Sequence, residues 1–371
     1  MATTDTVLTR RALNRATLAR QLLLRREDLP VTEVVTRLAG LQAQTTHTWY
    51  AGLENRVEGL APETVGQLLT EGALVRVTLM RGTLHLVTPE DCRYLRPTVQ
   101  PAIDQVIAHS THGRATRGLD PDEIAAAGYE ILSRAPLDLR ELGARLNERW
   151  PGVEGTHLAQ VVKARRPMLQ IPPRGVWGAS GPAALAPADT WTGLPMDASP
   201  DPEGMVLRYL AAFGPAGVKD AQAWSGLTRL GEVFDRLRDR LVVLRGEDGR
   251  ELFDLPDAPR PGEETAAPVR LLYDFDNLLR GHADRSRVIS DDDLKRLASR
   301  NGMPPATVLV DGEVRASWKV VRTTRDAVVE VVPFAEISGA DREQVEVEGL
   351  RMLRFLASDR GGHDVRFAPQ A

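Results

Sequence analysis

The chain has 371 residues, is 42% hydrophobic and 26% charged, and carries a formal net charge of −4. That length exceeds what one hydrophobic core usually spans, so about two to four domains are expected. No apolar run approaches the ~18 residues of a membrane span, and the N-terminus lacks a signal-peptide core, so the expected address is the cytoplasm of a bacterium, with no membrane partner. Cys92 is the only cysteine, which excludes an internal disulfide framework and a cysteine-built metal site. The negative charge is not the balance of an average DNA-binding domain. Its distribution is uneven, however, because the acidic excess lies in the second half, as in Glu263-Glu264 and Asp291-Asp292-Asp293. Basic residues are mostly arginine, which favours bidentate phosphate contact where guanidinium groups gather.

In chain order, residues 9–26 read as a helix with a broad apolar stripe through Leu18 and Leu22. A second helix is expected over 31–41, where Val34, Val35, Leu38 and Leu41 recur on one face. Pro62-Glu63-Thr64 opens a third, which runs to Gly72. The β-rich arms of Leu74–Val87 then break at Gly82. Helices followed by a hairpin give the outline of a winged helix. The outline returns at 121–179, with helices at 121–133, 137–150 and 155–166 and strands at 168–171 and 176–179. It returns again at 203–255, where Asp248-Gly249 turns a hairpin between 241–245 and 250–255. Pro-rich stretches at 182–202 and 256–268 read as linkers. The remainder is mixed, with strands at 306–310, 314–321, 327–333 and 364–367 and a helix at 341–357. The expected fold is therefore α+β: three tandem winged-helix segments, 1–110, 111–200 and 201–265, and a β-rich C-terminal segment, 266–371.

The third helix of each repeat makes a poor groove reader. The first carries Glu63 and Glu71 and no arginine. In the third, Arg229, Arg236, Arg238 and Arg240 interleave with Glu232, Asp235 and Asp239, the pattern of a solvated face. The second ends in Lys163, Arg165 and Arg166, which either meet phosphate or pin the last carbonyls of the helix. The hairpins are better candidates for DNA contact, through Arg81 and His85 in the first and Arg245 and Arg250 in the third. Asp274-Phe275-Asp276-Asn277, with His282, Asp284, Arg285 and Arg287, reads as an ion-paired interdomain contact before a metal site, since it holds one histidine. No Walker loop, Rossmann pattern, paired-histidine motif or nucleophile elbow occurs, and no metal or cofactor is expected.

The stretch with most chemical content is Leu41-Gln42-Ala43-Gln44-Thr45-Thr46-His47. On a continuing helix Gln42 and Gln44 would point roughly 200° apart, whereas on extended chain they share a face. Sharing a face, two carboxamides offer several donors and acceptors towards one point without charge, enough to hold a water, a base edge or a phosphate. The plainer alternative is that both amides satisfy backbone groups at a helix end.

Taken together, these segments resemble the AlkZ-like DNA glycosylases, winged-helix proteins that excise bulky alkylated purines and give actinomycetes resistance to their own DNA-alkylating natural products. The resemblance rests on Leu41-Gln42-Ala43-Gln44, matching the family's Gln–apolar–Gln motif, and on Arg81-Gly82-Thr83-Leu84-His85. It rests also on Pro173-Arg174-Gly175-Val176-Trp177-Gly178, on Asp220–Gly226 and on Val310-Asp311-Gly312 before Trp318. Glutamine at position 44, where sibling proteins have aspartate, places the chain with the self-resistance branch. The resemblance implies a C-shaped molecule around duplex DNA bearing bulky alkyl adducts, acting as a monomer without cofactor, with Gln42 and Gln44 catalytic. No lysine stands near them for Schiff-base chemistry, so a monofunctional enzyme is expected. The alternative class is a non-catalytic winged-helix protein that sequesters a drug or regulates a gene, since winged helices are more often regulators than enzymes.

Overall fold

The computed structural model describes residues 7–197, 199–298 and 302–369, so the outermost ends of the expected first and last segments, and Ala198 in the first linker, lie outside the described residues. The fold is α+β and organised on three sheets. The first takes the strands in the order Leu41–Gln42, Leu84–Val87, Val75–Thr78, Met168–Gln170, Leu185–Pro187. Its centre is the expected hairpin, with Val75 opposite Val87 and Thr78 opposite Leu84.

Two features of this sheet differ from the sequence reading. The hairpins of the first two segments are not separate, because Val77 pairs with Leu169 and joins them edge to edge. The second arm of the second hairpin is Leu185–Pro187, inside the stretch read as a linker. Residues 176–179 form turns instead, with the Val176 and Ala179 amides donating to Pro173 and Val176 carbonyls at 3.1 Å each. Gly175 and Gly178 explain this: both adopt positive φ, which a β-propensity reading of Val176-Trp177 does not register.

The third segment keeps its hairpin, Val242–Gly246 with Glu251–Asp254, and gains Val7–Leu8 as a parallel third strand. The C-terminal strands fall where expected, in the order Gly362–Phe367, Asp326–Pro333, Glu313–Arg322, Ala306–Val310, with Arg270–Leu272 added at the edge. Helices are shorter at the N-terminus than their apolar patterns indicate, Arg10–Arg20 and Val31–Arg37, and Trp49–Glu54, Pro89–Thr98 and Gln100–His109 are further helices.

One core unites Val35, Leu41, Trp49 and Tyr50 with Val308, Val329 and Leu353 of the C-terminal sheet. Polar groups fix the register of this contact. Arg56 and Asp276, both fully buried, form a bidentate pair at 2.8 and 2.9 Å. Losing either partner would leave an uncompensated buried charge, so the pair holds the two ends of the chain in one arrangement. The 274–277 cluster is in this sense the interdomain contact its composition indicates. Among the described residues, no helix is long and apolar enough to cross a membrane.

Candidate active site

The glutamines sit on a strand because the preceding helix is stopped. After Arg37, Ala39 and Gly40 take φ of 55° and 85°, and the Gly40 amide returns to the Val35 carbonyl at 2.9 Å. A Cβ at Gly40 would stand 2.7 Å from Val87 Cγ1, so glycine is demanded by space as well as by φ. The chain leaves this cap extended, with Leu41 opposite Leu86 and Gln42 opposite His85. The ladder continues through the Ala43 amide, which donates to Leu84 O at 2.7 Å. Of the two sequence geometries, the extended one is present.

The C-terminal segment clamps this strand from behind. Asn277 Nδ2 donates to Gly40 O at 2.6 Å, and the Tyr273 hydroxyl donates to Gln42 O at 3.0 Å. Side chains are fixed as firmly as backbone. Gln42 is 4% exposed and its Oε1 accepts from Arg81 Nη2 at 2.9 Å. Gln44 is exposed, and its Oε1 accepts from the Leu84 amide at 3.2 Å. Both partners can only donate, so each amide oxygen must face inward. The two NH₂ groups have no protein acceptor among the described residues.

Arg81 reaches Gln42 from a turn where its own φ is 58°, a left-handed conformation that non-glycine residues adopt at a cost. Its guanidinium also donates to the Trp224 carbonyl of the Val218–Ser225 helix. Burial lowers its pKa to about 10, helped by the nearby charges of Arg280 and Arg285. Arg280 and Arg285 are themselves half-buried and depressed by burial, Arg280 also by Arg285. On the other side, Arg76, 1% exposed, donates to Ala43 O and Arg174 O at 3.2 Å each. Lys163 lies by it, its ammonium held below the ordinary range by burial and by Arg76. None of these six cations has a carboxylate within ion-pair distance among the described residues, whereas Arg20, Arg26, Arg56 and Arg208 each have one. A desolvated cation cluster without counter-charge is costly unless an anion completes it. The glutamine strand is thus flanked on both sides by cations without an ion-pair partner among the described residues.

The DNA glycosylase AlkZ-like family model matches residues 35–355, from the helix before the glutamines into the C-terminal helix. The chain belongs to the AlkZ-like DNA glycosylase family. It is 27% identical over 361 residues to an interstrand DNA cross-link repair glycosylase of Streptomyces sahachiroi, covering 92% of this chain and 95% of the relative. The solved structure of Streptomyces sahachiroi DNA glycosylase AlkZ shares its fold, with a TM-score of 0.82 at 22% identity, over 98% of this chain and 100% of that one. The chain is accordingly an enzyme, a DNA glycosylase.

Within this AlkZ-like scaffold the other expected contacts fare differently. His85 is 2% exposed, and its Nδ1 bonds Thr83 O at 2.9 Å. Burial, with Arg81 adding to it, pushes its pKa down to about 3. His85 is therefore buried and neutral opposite Gln42, where the sequence reading places it in a hairpin open to DNA. Arg165 is spoken for by Asp104 and Asp122, at 2.9 and 2.5 Å, and Arg250 by Asp284 at 2.5 Å and by Asp248. Arg166 is exposed and lies over the Tyr129 ring at 5.9 Å. Arg245 is exposed, with only a 3.5 Å contact to Gly249 O. Lys163 lies beside Arg76, whose guanidinium donates to the carbonyl of Ala43, the residue between the glutamines.

Sequence reasoning passed over Arg76, Arg174 and Arg280, and took Arg285 for an ion-pair partner. The available signal was Arg174 inside Pro173–Gly178, quoted for the family resemblance but not for charge. It also passed over the role of Asp274, whose carboxylate accepts from the hydroxyls of Thr45 and Thr48 at 2.6 Å each and so fixes the turn that follows Gln44.

Proposed function

We propose that this glycosylase is monofunctional and hydrolyses the N-glycosidic bond of bulky alkylated purines, of the N7-alkylguanine type, that a DNA-alkylating natural product forms, including interstrand crosslinks. The observation that carries the proposal is Gln42 and Gln44 on one extended stretch, acceptor ends fixed, beside cations that make no ion pair among the described residues. A purine alkylated at N7 is already cationic. Its C1′–N9 bond breaks with the electron pair moving to the purine, which departs neutral without strong acid catalysis. Water then adds to C1′ of the oxocarbenium sugar and gives its proton to solvent, leaving an abasic site.

An uncharged pair suits that demand. Each amide oxygen keeps a second lone pair for a water hydrogen, and each NH₂ can meet a phosphate or sugar oxygen. Asp274, the carboxylate beside the motif, is occupied by Thr45 and Thr48. The family relation and the cross-link repair relative support the substrate class. Arg81, Arg166, Arg245 and Lys163 are the expected contacts that keep a part in holding DNA. The test is incubation with a duplex bearing one N7-alkylguanine, and with a crosslinked duplex. Release of the intact modified base and an alkali-labile site is expected. Tight binding without release would assign the chain to sequestration.

A further inference from the structure

A cavity of about 640 Å³ opens between the 45–48 turn, Trp177 and the C-terminal sheet. Its lining includes Thr45, which follows Gln44 in the chain, and Tyr273, whose hydroxyl donates to Gln42 O at 3.0 Å, so the cavity adjoins the glutamine strand. Its size is that of a drug-like ligand, larger than a sugar or phosphate needs. Trp177, Trp318 and Leu356 supply apolar and aromatic wall. Its charged members are balanced, Asp274 and Glu330 against Lys319 and Arg322. Asp274 is satisfied by threonine hydroxyls, Glu330 by Lys319 at 2.5 Å and Arg322 by the Leu356 carbonyl at 3.0 Å, so each charged member already has a protein partner. What fits is a flat, uncharged body attached to DNA near the glutamines.

We infer, on the reading of the chain as an N7-alkylpurine glycosylase, that this cavity receives the aromatic or apolar arm that the alkylating agent leaves on the base. Indole rings take a flat arene by stacking or edge contact, and burying it adds affinity that a small alkyl group cannot draw on. The cavity would then be the element that distinguishes bulky from small adducts, leaving bond cleavage to the strand beside it.

The experiment compares single-turnover release of N7-benzylguanine and N7-methylguanine from the same duplex. Ser317→Trp fills the cavity from the sheet, and Trp177→Ala removes one aromatic wall, neither touching Gln42 or Gln44. Each should lower benzyl release roughly tenfold or more and leave methyl release within about twofold. Equal losses on both adducts in both variants, or no loss on either, overturn the inference. A parent enzyme that releases neither base would instead sink the substrate reading beneath it.

Discussion

The glutamine strand and the third hairpin use the same residue types to opposite ends. At the hairpin, Arg238 donates to Glu251 at 2.8 Å, Arg236 to Glu203 at 2.7 Å, and Arg250 lies between two aspartates. Around the strand, Arg81, Arg280 and Arg285 on one side and Arg76, Arg174 and Lys163 on the other make no ion pair among the described residues. Exposed pairs of the first kind contribute little to stability, because water already solvates both partners. Desolvated cations of the second kind hold free energy in reserve for an anion. The number of arginines in a segment therefore does not distinguish the two regions; whether they have carboxylate partners does.

The largest test removes the strand's chemistry and keeps its cations. With Gln42→Ala and Gln44→Ala combined, single-turnover excision should fall on the order of 10–1000-fold, about 1.4–4 kcal/mol of barrier. DNA affinity should stay nearly intact, and Gln44→Asp should keep activity on small cationic adducts. A folded double variant that excises at the parental rate would reduce the strand to scaffolding. Lys163 gives the companion measurement: borohydride should trap no enzyme–DNA adduct, and a trapped species lost in Lys163→Ala would overturn monofunctional chemistry.

The converse test removes cations and keeps the glutamines. Arg280→Ala and Arg285→Ala should each weaken binding to duplex of any sequence and lower the slope of log affinity against log salt by about one. Excision at saturating enzyme should change much less than affinity. An unchanged slope in both variants would mean that these arginines repel each other for some purpose other than phosphate.

A smaller effect concerns pH. The folded pKa of His85, about 3, lies below the unfolded value near 6.5, so the folded state binds fewer protons in that window. Stability from neutral His85 is full above about pH 6.5 and is lost as pH falls towards 3. Urea midpoints should drop over that range, and His85→Asn should flatten the drop. Excision between pH 6.5 and 8 should be nearly level, since His85 is neutral throughout and Gln42 and Gln44 do not titrate.

How much of this was legible in residues alone depended on how local the cause was. The C-terminal strands were, because alternation and the Asp311-Gly312 turn are local, and so was the pairing Val75–Thr78 with Leu84–Val87. The end of the second helix was not, because Leu38 and Leu41 continue its apolar face while the stop lies in Ala39-Gly40 and in Val87 packed against Gly40. The fusion of two hairpins into one sheet depends on a single long-range pair, Val77 with Leu169, which no periodicity encodes. The glutamines were found from spacing and from the family motif. Their surroundings were not, because Arg280 and Arg285 lie far downstream in the chain and reach the strand only through the fold.

The smallest predicted effect sharpens the contrast within the hairpin itself. Arg245 and Arg250 stand near one turn, yet Arg250 is held by two aspartates while Arg245 has only a weak carbonyl contact. Removing Arg250 alone would leave both aspartates uncompensated and add repulsion for phosphate, confusing loss of a contact with gain of negative charge. Arg250→Ala with Asp248→Asn keeps the net charge and isolates the side chain. That pair should alter duplex affinity by less than about twofold, as expected for a surface ion pair. Arg245→Ala should reduce the salt slope by up to about one, as expected for a single phosphate contact. A tenfold loss in the charge-neutral pair, with Arg245→Ala silent, would show that ion-paired arginines also meet DNA here, and that partnerless cations are a poor guide to its path.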